Sequence, residues 1–181
     1  DETSPVNPLT TYAHANFLAE EDVLPLASED FSVTVLRQAT VYGPSHRMRF
    51  DLAVNGMTLG MFNNGKIPIL REGNQWRPMV HVRDTSRAFL ITLQADSSLV
   101  SGETFNVGSD EQNFQIMPLA KRVAEATDRP FEYEWYGDPD HRSYQVSFKK
   151  IQTVLGYSTQ LTPEDAAHDI YRALENGTLE D

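Results

Sequence analysis

Hydrophobic and polar positions alternate along the chain with two periods, one helical and one strand-like. From Thr10 or Thr11 to about Leu26 apolar residues recur near helical spacing, with acids at Glu20, Glu21 and Asp22, which predicts a capped amphipathic helix. "FSVTVLRQATVYGP", Phe31 to Pro44, is a β-branched run closed by Gly-Pro and reads as one buried strand stopped by a turn. "RMRFDLAVNGMTLGMF" reads as a helix weakened by Gly56 and Gly60. "KIPIL" and "RPMVHV" are short strands around the turn "REGNQ". Asp84 is placed to cap "TSRAFLITLQA", whose Ala88, Phe89, Ile91 and Leu93 supply apolar surface, while His81 reads as a packed or hydrogen-bonded strand residue.

Farther on, "ETFNVGS" is a short buried strand, "MPLAKRVAEAT" a helix and "FEYEWY" a half-buried strand. The loop "GDPDHR" leads to "SFKKIQTVLG", a short helix closed by Gly156. "TPEDAAHDIYRALENG" carries the fullest set of helix signals: Thr162 at the N-cap, Pro163 at the first position, acids in the first turn and Gly177 past the end. Mixed helices and buried β-branched runs indicate an α/β protein.

Composition narrows the function classes. The 181 residues suit one domain, or one with a small appendage, and the 40% hydrophobic content is ordinary for a globular chain. A net charge of −11 argues against nucleic-acid or anionic-membrane binding, so an anionic substrate would have to meet a few focused arginines. The absence of cysteine excludes disulfide scaffolds and thiolate metal sites, and no two of the five histidines sit at ligand spacing, so no metal site is expected. No apolar run of membrane-spanning length and no signal-peptide pattern is present, which makes the cytoplasm the default location. The chain starts on Asp1 in "DETSPVNPLTTY", which reads as a fragment or processed product beginning mid-fold, with a trimmed tag as the plain alternative.

Candidate chemistry begins in the first helix. Tyr12 lies four residues ahead of Asn16, the spacing that puts two side chains on one helix face, whereas His14 points elsewhere. Arg77, in "QWRPMVHV", has a guanidinium that can fork onto phosphate oxygens, but by its type alone it reads as a surface arginine paired with a carboxylate. A semi-exposed helix tyrosine and a surface arginine paired with a carboxylate would produce the same letters.

The segments "PLTTYAHAN", "VTVLRQATVYGP", "QWRPMVHVRDTSRA", "FNVGS" and "DHRSYQVSFKKIQTVLGY" follow one another in an order and spacing that resemble the extended short-chain dehydrogenases/reductases. Within them the chain is most similar to the NAD-dependent epimerase/dehydratase branch that acts on nucleotide-diphosphate sugars. The resemblance implies the C-terminal part of a Rossmann-type NAD(P)-binding fold with a small α/β substrate-binding domain. Residues 1–44 would end the Rossmann domain, 45–181 would form the substrate region, and 76–108 would return to the sheet. The family's glycine-rich pyrophosphate turn and its catalytic Ser/Thr do not occur in these residues.

By the same resemblance Tyr12 matches the general acid/base. A free phenol ionises near pH 10, too high for efficient proton abstraction at neutrality. The family lowers this with a lysine one turn on, which also hydrogen-bonds the nicotinamide ribose; Asn16 keeps the hydrogen-bonding capacity without the charge. The resemblance places Tyr12, Asn16, Gln38 and Ala39 at NAD or NADP, and Thr40, Asn55, Arg77 and Arg142 at a nucleotide-diphosphate sugar. It assigns Asp140 and Tyr144 to shaping the Arg142 loop, and allows a homodimer through the Tyr12 helix. A non-catalytic homologue that binds a nucleotide sugar or a partner protein is the alternative.

Overall fold

The computed structural model describes residues 1–140 and 142–179. Its strands pair mostly in parallel. β1 (Thr34–Gln38) runs beside β5 (Glu103–Val107), β2 (Thr40–Tyr42) beside β4 (Trp76–His81), and β3 (Ile67–Leu70) beside β7 (Tyr133–Tyr136). β6 (Asn113–Gln115) is the antiparallel exception, joined to the start of β4. Parallel pairing needs long crossovers, and helices supply them on the sheet faces. The architecture is therefore α/β, as the pattern of the chain indicates.

β4 divides the interior. Successive strand residues point to opposite faces, so Met79 and Val80, both fully buried, enter different cores. Met79 joins a cluster built with α2 (Ala53–Asn64), α5 (Ile116–Ala126) and α7 (Pro163–Glu175), including Val54, Met57, Ile67, Leu119 and Ala167. Val80 joins Ala88 of α3 (Val82–Gln94), Val100 of the short α4 (Ser97–Val100), Phe105, Val107 and Ile151 of α6 (Lys149–Leu155). α7 keeps its full set of end signals: Thr162 and Asp165 form a reciprocal capping box, and the inward face buries Ala166, Ala167, Ile170 and Leu174.

Several elements depart from expectation for identifiable reasons. The run from Phe31 to Pro44 is two strands, because its first half pairs with β5 and its second with β4; the change of partner falls at Ala39, whose N–H still bonds the Val107 carbonyl at 3.0 Å. The helix expected from Arg47 starts at Ala53, since the Asn55 side chain accepts from the Gly43 N–H and donates to the Arg49 carbonyl, which holds the preceding segment as a loop. Gly56 and Gly60 permit close approach there: a Cβ at Gly56 would lie 2.5 Å from the Phe50 carbonyl oxygen, and one at Gly60 2.3 Å from the Pro68 ring. α1 (Thr11–Val23), followed by a 3-10 turn at Leu24–Leu26, buries none of its residues and so lacks the inward face an amphipathic helix would have. β7 is exposed throughout, and its Tyr133 ring packs against Phe131 and Trp135. On α3, Phe89 and Leu93 face outward.

Asp84 is not the cap of α3. That role belongs to His81, whose Nδ1 accepts from the Arg83 N–H at 3.1 Å. Asp84 is fully buried, and its carboxylate accepts the Gln160 and Leu161 N–H groups and an Arg87 N–H, all at 3.0 Å. A buried charge needs such compensation, and here it pins the 157–161 segment to α3. His81 is 1% exposed, meets the Tyr42 ring edge-on, and its Nε2 has no hydrogen-bond partner.

Burial pushes the His81 imidazole below its ordinary value, against the opposing pull of the Asp84 carboxylate. The unfolded chain then takes up the proton first, so this contribution to stability is complete above about pH 6.5 and is lost as pH falls below it. Denaturant midpoints should drop across that window. His81→Gln should flatten the drop, and an identical pH slope in both proteins would refute the assignment.

Candidate functional site

A cleft of about 1540 Å³ opens between α1, the ends of β2 and β4, the start of α2 and the loop after β7. Tyr12, Thr40, Arg77 and Arg142 all line it. The fold thus gathers four residues spread over 130 positions of sequence (142 − 12) on one wall system.

Tyr12 is 80% exposed on the first turn of α1, whose N-cap Thr10 accepts the Ala13 N–H at 3.1 Å. With no buried side chain, α1 is tied to the sheet by charge. Arg37 of β1 forks onto Glu20, with Nε–Oε2 at 2.9 Å and Nη2–Oε1 at 2.5 Å. Arg37 also donates to the Glu2 carbonyl, and the Glu2 carboxylate accepts the Asn106 N–H opposite Arg37 in the strand register.

The other wall is an arginine–carboxylate cluster. Arg77 donates to Asp140 at 2.6 Å, to the Trp76 carbonyl at 2.7 Å and to the Arg142 carbonyl, and lies over the Tyr144 ring. Arg142 grips Asp140 side-on through Nε and Nη2, both at 2.8 Å. Hydrogen bonding from Arg142, joined by the charge of Arg77, holds the Asp140 carboxyl far below the usual carboxylate range. The Arg77 and Asp140 side chains are 14% and 11% exposed, while Arg142 is 55% exposed, so Arg142 is the more accessible cation.

Four sequence candidates lie outside the cleft lining. Asn16 is exposed one turn beyond Tyr12, Gln38 is exposed at the end of β1, and Ala39 is 8% exposed. Asn55 is buried as the clip between Gly43 and Arg49. Conversely, the cleft includes Arg49 and Asp51, which no motif marked. Their side chains form a fork at 2.7 Å; its hydrogen bonds raise the Arg49 guanidinium, with a smaller electrostatic contribution from Tyr12. The only signal was a basic residue near an acid in the segment before α2. Among the described residues no group of three His, Asp or Glu could hold a metal ion.

Removing the Glu20 carboxylate should loosen α1. Glu20→Ala should cost about 1.5–3 kcal/mol of docking, the scale of a hydrogen bond between charged groups. Amide exchange over Phe17–Val23 should then rise about tenfold or more relative to β5. Equal exchange in the variant would show that another contact holds the helix.

The parallel strand pairs, with helices supplying their crossovers, are those of a Rossmann-type α/β fold. The model of the NAD dependent epimerase/dehydratase family matches residues 1–108, and the chain belongs to that family. It is 25% identical over 181 residues to a Methanocaldococcus jannaschii protein provisionally assigned as a UDP-glucose 4-epimerase, covering 97% of this chain and 57% of that one. It is 27% identical over 171 residues to a dTDP-glucose 4,6-dehydratase of Streptomyces niveus, covering 91% and 48%. The chain spans about half the length of these relatives. The fold matches the solved structure of MoeE5 bound to UDP-glucuronic acid and NAD, with a TM-score of 0.83 at 23% identity over 97% of this chain and 59% of that one.

Proposed function

We propose that the chain is the substrate-binding and Tyr-bearing part of an NAD- or NADP-dependent nucleotide-sugar epimerase or dehydratase. The observation that carries this reading is the single cleft shared by Tyr12 at one wall and the Arg77–Arg142 pair at another. The arginines suit a diphosphate, and the exposed phenol suits a sugar hydroxyl. A division near residue 44 between sheet and substrate region belongs to this reading, with Phe148, Ile151 and Tyr157 returning to the cluster around Val80.

Tyr12 and Asn16, exposed one turn apart on α1, offer a phenol and a carboxamide that fit the nicotinamide-ribose end of a dinucleotide; Gln38 and Ala39 complete the set this reading assigns to it. When bound, the dinucleotide supplies the acceptor for a hydride from the sugar carbon. Tyr12 takes the hydroxyl proton as that C–H bond breaks and returns it when the carbonyl is reduced. Arg142 and Arg77 hold the diphosphate, and Thr40 and Asn55 belong to the substrate side, Asn55 through the loop it clips. No helix among the described residues is long and apolar enough to cross a membrane, and a cytoplasmic enzyme is the reading we adopt. Outward Leu18 and Val23 on α1 support a homodimer through that helix.

A second reading, a nucleotide-sugar-binding homologue without catalysis, is favoured by Asn16 itself. It stands where a cation would stabilise a phenolate and carries no charge.

Arg77→Ala should weaken UDP or dTDP binding by about 1.5–3 kcal/mol. Arg77→Lys should not restore it fully, since the planar fork is lost. Calorimetry showing unchanged affinity in both variants would leave Arg77 as a structural ion pair. In the full-length protein Asn16→Lys should raise turnover at neutral pH, and Tyr12→Phe should lower it by roughly 10²–10⁴-fold. Absence of turnover in wild type and Asn16→Lys alike, with nucleotide-sugar binding retained, would select the binding reading.

A further inference from the structure

We infer that Asp140 is a positioning residue that sets Arg77 and Arg142 as a fixed pair for a diphosphate; the inference rests on the diphosphate reading of the cleft. Arg142 sits on the exposed loop after β7, and a free arginine there would sample many rotamers, losing that freedom on binding. Asp140 removes most of the freedom in advance. Its Oδ1 accepts both the Arg142 Nε–H at 2.8 Å and the Arg142 backbone N–H at 3.1 Å, and its Oδ2 accepts the Arg142 Nη2–H at 2.8 Å.

The same Oδ2 accepts from Arg77 Nη2 at 2.6 Å, so one oxygen brings two guanidinium groups together. Two like charges this close would repel without the carboxylate between them. Asp140 is itself anchored, because its N–H bonds the Arg71 carbonyl at 3.1 Å while Ser143 Oγ accepts the Trp76 N–H at 3.0 Å. Arg77 spends Nη1 on two backbone carbonyls and is only 14% exposed. Arg142 donates to Asp140 through Nε and Nη2 and is 55% exposed, which leaves its outer edge open to the cleft. The cluster therefore presents Arg142 as the more accessible fork and holds Arg77 beside it at the cleft wall. Asp140 is the hinge between them. Its effect on a ligand passes through the arginines, with no contact of its own required.

Calorimetric titration of the chain with UDP, and with uridine as a phosphate-free probe, tests this. Asp140→Asn should weaken UDP binding roughly tenfold, the upper end of the cost of ordering one long side chain on binding. Uridine binding should be unchanged, and Asp140→Glu should recover part of the loss because it restores the carboxylate. In an Arg142→Ala background Asp140→Asn should cost less than in the wild type, since only Arg77 is left to position. Tighter UDP binding in Asp140→Asn would overturn the inference, showing a carboxylate that competes with the ligand for the arginines. So would equal losses for UDP and uridine with no recovery in Asp140→Glu, the pattern of a merely structural loop contact. Failure of the wild-type chain to bind UDP would instead overturn the diphosphate reading, and this inference with it. Thermal unfolding of each variant establishes that it is folded before titration.

Discussion

Strand β4 is the element on which the rest of the structure depends. It is paired on both edges, with β2 in parallel and with β6 antiparallel, and its second half is buried on both faces. Its period-two alternation sends Met79 into one core and Val80 into the other, so the two clusters cannot shift independently. A one-residue slip would exchange these faces and carry Arg77 out of the cleft. At its end His81 caps α3, and Asp84, in the first turn of that helix, fastens the segment that leads to α7. Core, cleft and C-terminal helix are thus referenced to six residues of one strand.

Charge is handled differently inside the cleft and outside it. The chain carries a net charge of −11, yet its cleft includes Arg37, Arg49, Arg77 and Arg142. Each of these is matched by a carboxylate: Glu20, Asp51 or the shared Asp140. The Arg49–Asp51 pair is solvated and contributes little to stability, as exposed ion pairs do. The Arg37–Glu20 and Arg77–Asp140 pairs are largely shielded, and they join α1 to the sheet and the loop after β7 to β4. In this fold ion pairs place the mobile-chemistry groups, while apolar packing places the scaffold.

Much of the scaffold was legible because its signals are local. Thr162, Pro163 and Asp165 specify the start of α7 within four residues, and Gly156 closes α6 in left-handed backbone that other residues adopt at a cost. β2 was marked by the β-branched run from Phe31, whereas β6, with the residues Asn, Phe and Gln, carries no such run and was not read from the sequence. Tyr12 and Arg77 were legible only through ordered motifs, since neither residue type identifies a site by itself.

What the sequence determined alone was the kind and approximate place of most elements, because capping, left-handed glycines and apolar periodicity act over a few residues. The tertiary structure decided the rest, through partners distant in the chain. The strand from Phe31 breaks at Ala39 because β5 and β4 claim its two halves. Asp84 looks like a cap in the sequence and becomes a buried clamp only when Gln160 and Leu161 arrive, 76 and 77 residues later. Arg77 and Asp140 lie 63 residues apart, and nothing between them in the sequence indicates that they meet. Long-range pairing leaves no periodic trace, because its geometry is set by the packing of whole elements rather than by the spacing of neighbours.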